Sequence, residues 1–385
     1  MAEPNKKSTS KKWIVRTILI GLAVMALYGV IVGAIGATLR DSDPILETPE
    51  VHLPAGAVFP EEKREESARG ENLGIMGFAI TNTMLSSFIT TIILASILII
   101  GASKKSLVPG RFQALVETII EALLNFVEGV AGKRFGRAFF PVIATVFLFV
   151  MLNAWMGLLP FYPALGFHPE HHDVEESGVV ESYDGARLVL EGGHTFLIDK
   201  EHTVFEDHAE PHVGEEIEVA GEKTDQKDVY EASIVSHHLP GKIDLLRPAG
   251  TDLNMPLALA IVSFLFVEFW GLRSLGFGYL GKFFRFGWIL KGPKHYLSGG
   301  IDAFVGILEG ISEVVRLLSF TFRLFGNMLA GEILILVATF LFPFVVPSLF
   351  FYELELLVGV IQAMIFAGLT VTFATLAVAH HGDEH

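Results

Sequence analysis

The 385-residue chain contains no cysteine, and only 18% of it is charged. Without cysteine it can hold no disulfide, no thiolate nucleophile and no cysteine-ligated metal. A soluble protein of this length would need more charge than that to cover its surface. Instead 51% of the residues are hydrophobic, and the chain has 32 phenylalanines. No glycine-rich loop of the kind that cradles phosphate is present, so nucleotide chemistry is not expected of this chain. No internal repeat is visible, which weighs against a transporter built from inverted repeats. The net charge of −15 is local: residues 168–247 hold 20 acidic against 6 basic residues, a difference of −14. That block is not a surface for phosphate or nucleic acid.

What is there reads as a series of membrane passes. Residues 1–37 carry Lys6, Lys7, Lys11 and Lys12 ahead of an apolar run from Trp13 to Ala37. The run exceeds a signal-peptide core and suits a spanning helix, so a retained anchor is favoured over a cleaved leader. Residues 38–74 read as an external linker. A second apolar run, Ile75 to Ile100, returns the chain inward to Lys104 and Lys105. Residues 109–132 place Leu115, Ile119, Leu123, Phe126 and Val127 among Glu117, Glu121 and Glu128, an amphipathic helix too charged to span. Lys133, Arg134 and Arg137 put it on the cytoplasmic side. Phe139 to Pro160 is the third span.

The acidic block, 161–250, then lies outside, with short β-rich segments such as ARLVLEG, HTFLID and EEIEVAG. It predicts a soluble insert of five or so strands. Its histidines His168, His171, His172, His208 and His212 can be read as metal ligands or as ordinary members of a solvated acidic surface. Asp252 to Leu272 is the fourth span, and the loop 273–300 holds Arg273, Lys282, Arg285, Lys291 and Lys294. The fifth segment, Ile301 to about Phe342, is too long for one perpendicular span of about 20 residues. Pro343 and Pro347 mark a turn, and Leu349 to Ala379 comes back to a cytoplasmic tail. The expected class is an all-α polytopic membrane protein of about six membrane helices, the last two a long tilted hairpin within 251–385, plus a small external β-rich insertion.

Chemistry concentrates in that hairpin. Arg323 lies inside an apolar stretch, and an arginine at the centre of a membrane helix costs roughly 2.5–3.5 kcal/mol on insertion scales. It cannot escape by losing its proton. Ser319, Arg323 and Asn327 are spaced by four and share one helix face. Glu332 stands about 13.5 Å beyond Arg323 along the axis, and Glu355 and Gln362 are about 10.5 Å apart on the returning helix. Folding the hairpin about residue 345 pairs Arg323 with Gln362 at mid-membrane and Glu332 with Glu355 nearer the outer face. Two carboxylates close together cannot both ionise easily, so such a pair can take up and release a proton. A structural pair stapling two helices is the plainer alternative. Arg316 is the natural partner of Glu313, which leaves Arg323 without an evident internal counter-ion. Gly326, Ala330 and Gly331 allow close packing or leave room for a moving neighbour.

FRLFGNMLAGE, from Phe322 to Glu332, resembles the signature of the a subunit of F-type ATP synthases, the membrane stator facing the rotating c-ring. SLVPGRFQALVE (106–117), LNAWMGLLP (152–160) and VIQAMIFAGLTVTF (360–373) support the resemblance, which covers most of 75–160 and 251–385. It implies that Arg323 is the arginine separating two aqueous half-channels, with Asn327 and Gln362 beside it. It also implies that Glu332 and Glu355 occupy the proton-relay positions. Many members place one histidine and one acid there, whereas this chain has two acids. The implied partners are the c-ring, the peripheral-stalk b subunits and the remaining ATP synthase subunits, in a bacterial plasma membrane with both termini cytoplasmic. No cofactor is implied, and the chain is not expected to be an enzyme by itself. A stand-alone ion or solute transporter is the rival expectation.

Overall fold

Helices and strands segregate along the chain in the computed structural model. It describes residues 6–33, 37–38, 40, 56–59, 79–103, 110–159, 162, 165–167, 174–190, 195–198, 203–205, 211–224, 229–236, 243–282, 296–341 and 346–379. The loops carrying Lys104, Lys105, Arg285, Lys291 and Lys294, most of the linker 38–74, the turn at Pro343, the C-terminal tail and His168, His171, His172 and His208 lie outside these residues.

The chain divides into two units. The first, residues 1–53, 83–159 and 247–385, is helical. It comprises α1 (Lys6–Val32), α2 (Asn82–Ser103), α3 (Arg111–Gly157), α4 (Asn254–Leu275), α5 (Tyr296–Leu341) and α6 (Val346–Ala379). Among the described residues, five stretches are long and apolar enough to cross a membrane: Asn82–Ser103, Arg111–Gly157, Asn254–Leu275, Ala303–Leu341 and Leu349–Ala379. Within α1 the apolar stretch Ile20–Val32 is shorter than these five. These helices expose large apolar side chains such as Ile92, Ile99, Leu265, Phe304, Val314 and Leu357, as expected of a surface whose solvent is lipid.

Between the expected amphipathic segment and the apolar run that follows it, α3 is broken. Its backbone at Gly132 has φ 72° and ψ 163°, a region essentially confined to glycine that costs other residues roughly 1–3 kcal/mol. The chain folds back tightly enough that a Cβ at Gly136 would come within 2.8 Å of the Glu128 backbone. Arg137 Nε closes the corner on Glu128 Oε1 at 3.1 Å. Beyond it, Phe139 is fully buried and meets Phe266 and Trp270 of α4 edge-on, with centroids 5.5 and 5.0 Å away. Phe320 of α5 packs on Phe366 of α6 at 4.9 Å. Helix α2 starts later than the apolar run that announces it, because Ile80–Thr81 forms strand β2 against β1 (Ala57–Phe59).

The second unit, 54–82 and 160–246, contains these two strands and the acidic block. There β3 (Gly166–Phe167) pairs with β10 (Ile243–Asp244). The other strands are β4 (Val174–Tyr183), β5 (Arg187–Leu190), β6 (Thr195–Ile198), β7 (Val204–Phe205), β8 (Glu216–Lys223) and β9 (Val229–Ser236). They run in the order β6-β5-β4-β8-β9-β7. A parallel pairing of β6 with β9 closes five of them into a ring. Alternation fills the ring: Ile217 and Val219 are buried with Val180, Leu188, Leu190, Phe196 and Val235, and their neighbours Glu216 and Glu218 are not. The β4–β5 turn is held by Asp184, whose Oδ1 accepts from Ala186 N at 3.0 Å and Arg187 N at 2.7 Å. These two amides, Ala186 first, hold its carboxyl below the ordinary range.

Candidate functional site

Helix α5 has 46 residues, about 69 Å at 1.5 Å per residue, more than the roughly 30 Å of a bilayer core. Its polar residues differ in how well they are partnered. Arg316 Nη1 donates to Glu313 Oε2 at 2.6 Å, and its guanidinium lies 3.8 Å from the centroid of the Phe373 ring. The expected Arg316–Glu313 pair is therefore formed. Arg323, two turns on, donates to Ser319 Oγ at 3.4 Å, a long contact, with the Phe320 ring 5.9 Å away. Among the described residues no carboxylate lies within ion-pair distance of Arg323. Gly326, Asn327 and Ala330 beside it are exposed.

Asn327 Nδ2 donates to Gln362 Oε1 at 2.7 Å, joining α5 to α6. Gln362 thus meets Asn327, one turn beyond the expected Arg323. Gln362 is 3% exposed, and its Nε2 finds no acceptor among the described residues.

The two carboxylates come to the same level of α5 by different means. A methyl group at Gly331 would overlap the Glu355 carboxylate, which therefore lies against the α5 backbone immediately before Glu332. Glu332 Oε2 itself accepts from Arg247 Nη2 at 3.1 Å. Arg247 was not among the residues singled out by sequence. The signal available was a lone arginine at the end of a strongly acidic block, directly ahead of a membrane pass.

A second buried polar row lies between α2, α3 and the start of α4. Thr83 Oγ1 donates to Asp252 Oδ2 at 3.1 Å, and Asp252 Oδ1 accepts from Asn254 N at 3.3 Å. One turn after Thr83 come Ser86 and then Thr90, both fully buried, and Thr90 Oγ1 is 3.3 Å from Asn153 Oδ1. Asn153 Nδ2 is a buried donor without an acceptor among the described residues. Elsewhere Ser263 Oγ and Thr370 Oγ1 are 2.7 Å apart, linking α4 to α6. No group of three His, Asp or Glu side chains that could hold a metal occurs among the described residues, and of His168, His171, His172, His208 and His212 only His212 is described.

Residues 84–375 match the family model described as ATP synthase A chain. The chain is similar to the ATP synthase subunit a of Gloeobacter violaceus, 26% identical over 303 residues, covering 79% of this chain and 86% of that one. The subunit a of Mycobacterium ulcerans is 24% identical over 309 residues, with 79% and 90% covered. That of Maricaulis maris is 26% identical over 301 residues, with 77% and 76% covered.

Proposed function

The chain belongs to the ATP synthase A-chain family, as a proton-translocating a subunit of a multi-pass membrane sector, and on that premise we propose how its residues divide the work. Arg323 separates two half-channels that open to opposite sides of the membrane. A proton enters from outside through the region of Glu332 and Glu355 and passes to a carboxylate on a rotor subunit. The rotor turns, and the proton leaves toward the cytoplasm on the far side of Arg323. Asn327, Gln362 and Ser319 line the passage. No covalent bond is made or broken in this chain, and the nucleotide chemistry belongs to other subunits.

The observation that carries this assignment is the contrast between the two hairpin arginines. Arg316 is paired with Glu313 and lies over the Phe373 ring, whereas Arg323 stands beside an exposed, small-residue surface and, among the described residues, donates only to Ser319. A charge held unpaired in an apolar segment costs more than a paired one, unless a partner outside the chain supplies the opposite charge. A rotor carboxylate would supply it once per subunit passage. The c-ring and peripheral-stalk b subunits are accordingly the partners. We place six passes, with α1 as the first, both termini in the cytoplasm and 161–250 outside as a separate β domain. A stand-alone transporter finds no support in the similarity to ATP synthase subunits.

The test is Arg323→Lys in the assembled complex. A flexible point charge does not replace the planar fork. ATP-driven proton pumping by membranes carrying that variant should be lost, and pumping at the wild-type rate would refute the assignment.

A further inference from the structure

Building on the relay assigned to Glu332 and Glu355, we propose that Arg247 is a positioning residue. Its guanidinium engages the carboxylate of Glu332 and holds it in place, so the two acids are not equivalent and the proton travels through Glu355.

Three observations converge on this division. The Arg247–Glu332 pair is 3.1 Å long, with the two side chains 8% and 23% exposed. Arginine keeps its charge and its planar fork of donors at any physiological pH, so it orients the carboxylate bonded to it. Glu355 has a different setting: its carboxylate rests on the Gly331 backbone, and no cation pairs with it among the described residues. Among the described residues, the charged groups that these contacts bring to this level are Arg247 ahead of α4, Glu332 on α5 and Glu355 on α6.

The arginine is also delivered by a rigid mount. Ala249–Thr251 forms a 3-10 turn with all three residues buried. Thr251 donates to the Pro248 carbonyl through both its N, at 3.1 Å, and its Oγ1, at 2.7 Å. Pro248 packs on Gly157 of α3 so closely that a Cβ there would come within 2.7 Å of it. A Cβ at Gly250 would overlap Met328 Sδ on α5. The mount of Arg247 is therefore locked to two of the helices that frame the relay. A surface ion pair serving only to staple loops would need no such mount and would be largely solvent-screened.

The consequence is a two-acid relay in which one carboxylate is held by Arg247 and the other is the carrier.

The experiment is a double-mutant cycle on the whole complex in inverted membrane vesicles. ATP-driven proton flux is read per assembled complex, with subunit content checked by immunoblot. Arg247→Gln leaves Glu332 unpaired and should lower flux about tenfold, and Arg247→Lys should restore part of it. Arg247→Gln combined with Glu332→Gln should show no further loss beyond Glu332→Gln alone. Glu355→Gln should lose more flux than Glu332→Gln. Wild-type flux in Arg247→Gln, losses that multiply in the double variant, or a greater loss in Glu332→Gln than in Glu355→Gln would each overturn the proposal. If Arg247→Gln does not assemble, the double variant, which leaves no unpaired charge, decides by the same comparison with Glu332→Gln. Failure of the broader channel assignment is separable, because it would show as persistent pumping in Arg323→Lys.

Discussion

Gly331→Ala moves one functional carboxylate without changing any charge. Inside α5 the exchange gains roughly 0.8–1.0 kcal/mol of helix propensity. Against that, the new methyl would overlap the Glu355 carboxylate, the mobile end of a side chain that can rotate away. Ordinary contact between heavy atoms lies near 3.5–4.0 Å, so the carboxylate must retreat by about an ångström or more. An off-rotamer adjustment of that kind costs of order 0.5–1.5 kcal/mol. The two terms nearly cancel, so folding and assembly should be unchanged within about 1 kcal/mol. Transfer is far less tolerant: displacing a reacting group by about 1 Å can cost up to about 100-fold in rate. ATP-driven acidification of inverted vesicles, followed with a pH-sensitive dye and normalised to assembled complex, should therefore fall by about 10- to 100-fold. Gly129→Ala, where a Cβ meets nothing within 4 Å, is the matched control. Wild-type acidification in Gly331→Ala would refute the placement of Glu355 in the proton path.

Two further outcomes rest on the fold. Phe139→Ala removes the ring on which Phe135, Phe266 and Trp270 converge. It should destabilise the helical unit by about 3–5 kcal/mol, read as a lower melting temperature of the purified membrane sector. An unchanged melting temperature would show that the aromatic cluster does not hold α3 to α4. Asp184 contributes through a depressed carboxyl pKa, so its stabilisation is present above the unfolded value near 3.9 and is lost as pH falls through the lower folded value. Hydrogen-exchange protection of the Ala186 and Arg187 amides should thus weaken in acid. In Asp184→Asn it should be weaker at pH 7 and lose that acid dependence, and equal protection in the two proteins would contradict the turn geometry.

Much of the helical plan was legible because membrane passes are written in long apolar runs and basic loops. Even the corner in α3 could be read, since Glu117, Glu121 and Glu128 cannot share a span with the apolar run that begins at Phe139. The start of α2 was less clear: Ile80 and Thr81 are as apolar as a helix start, and only their pairing with Ala57–Phe59 makes them a strand. Strand alternation announced the β unit, but the parallel closure of β6 on β9 joins residues more than thirty positions apart and leaves no local trace. In the hairpin, face-sharing of Arg323 and Asn327 came directly from helical spacing. The partner of Gln362 did not, because a slip of one turn decides it. Arg247 was illegible for a deeper reason. Its role depends on a buried turn wedged against Gly157 and Met328, and nothing in its immediate neighbours signals that it reaches Glu332 85 positions away.

The central claim is that Arg323 has its missing counter-ion on another subunit, and the absence of cysteine makes that directly measurable. Gly326, exposed one turn beyond Arg323 and with open space around it, accepts a cysteine without disturbing this chain. A second cysteine is placed one turn from the rotor carboxylate, and the assembled complex is oxidised in the membrane. A disulfide linking this chain to the rotor subunit is the predicted result. Full assembly with no such cross-link at Gly326→Cys, but one from a residue on the opposite face of α5, would contradict the account.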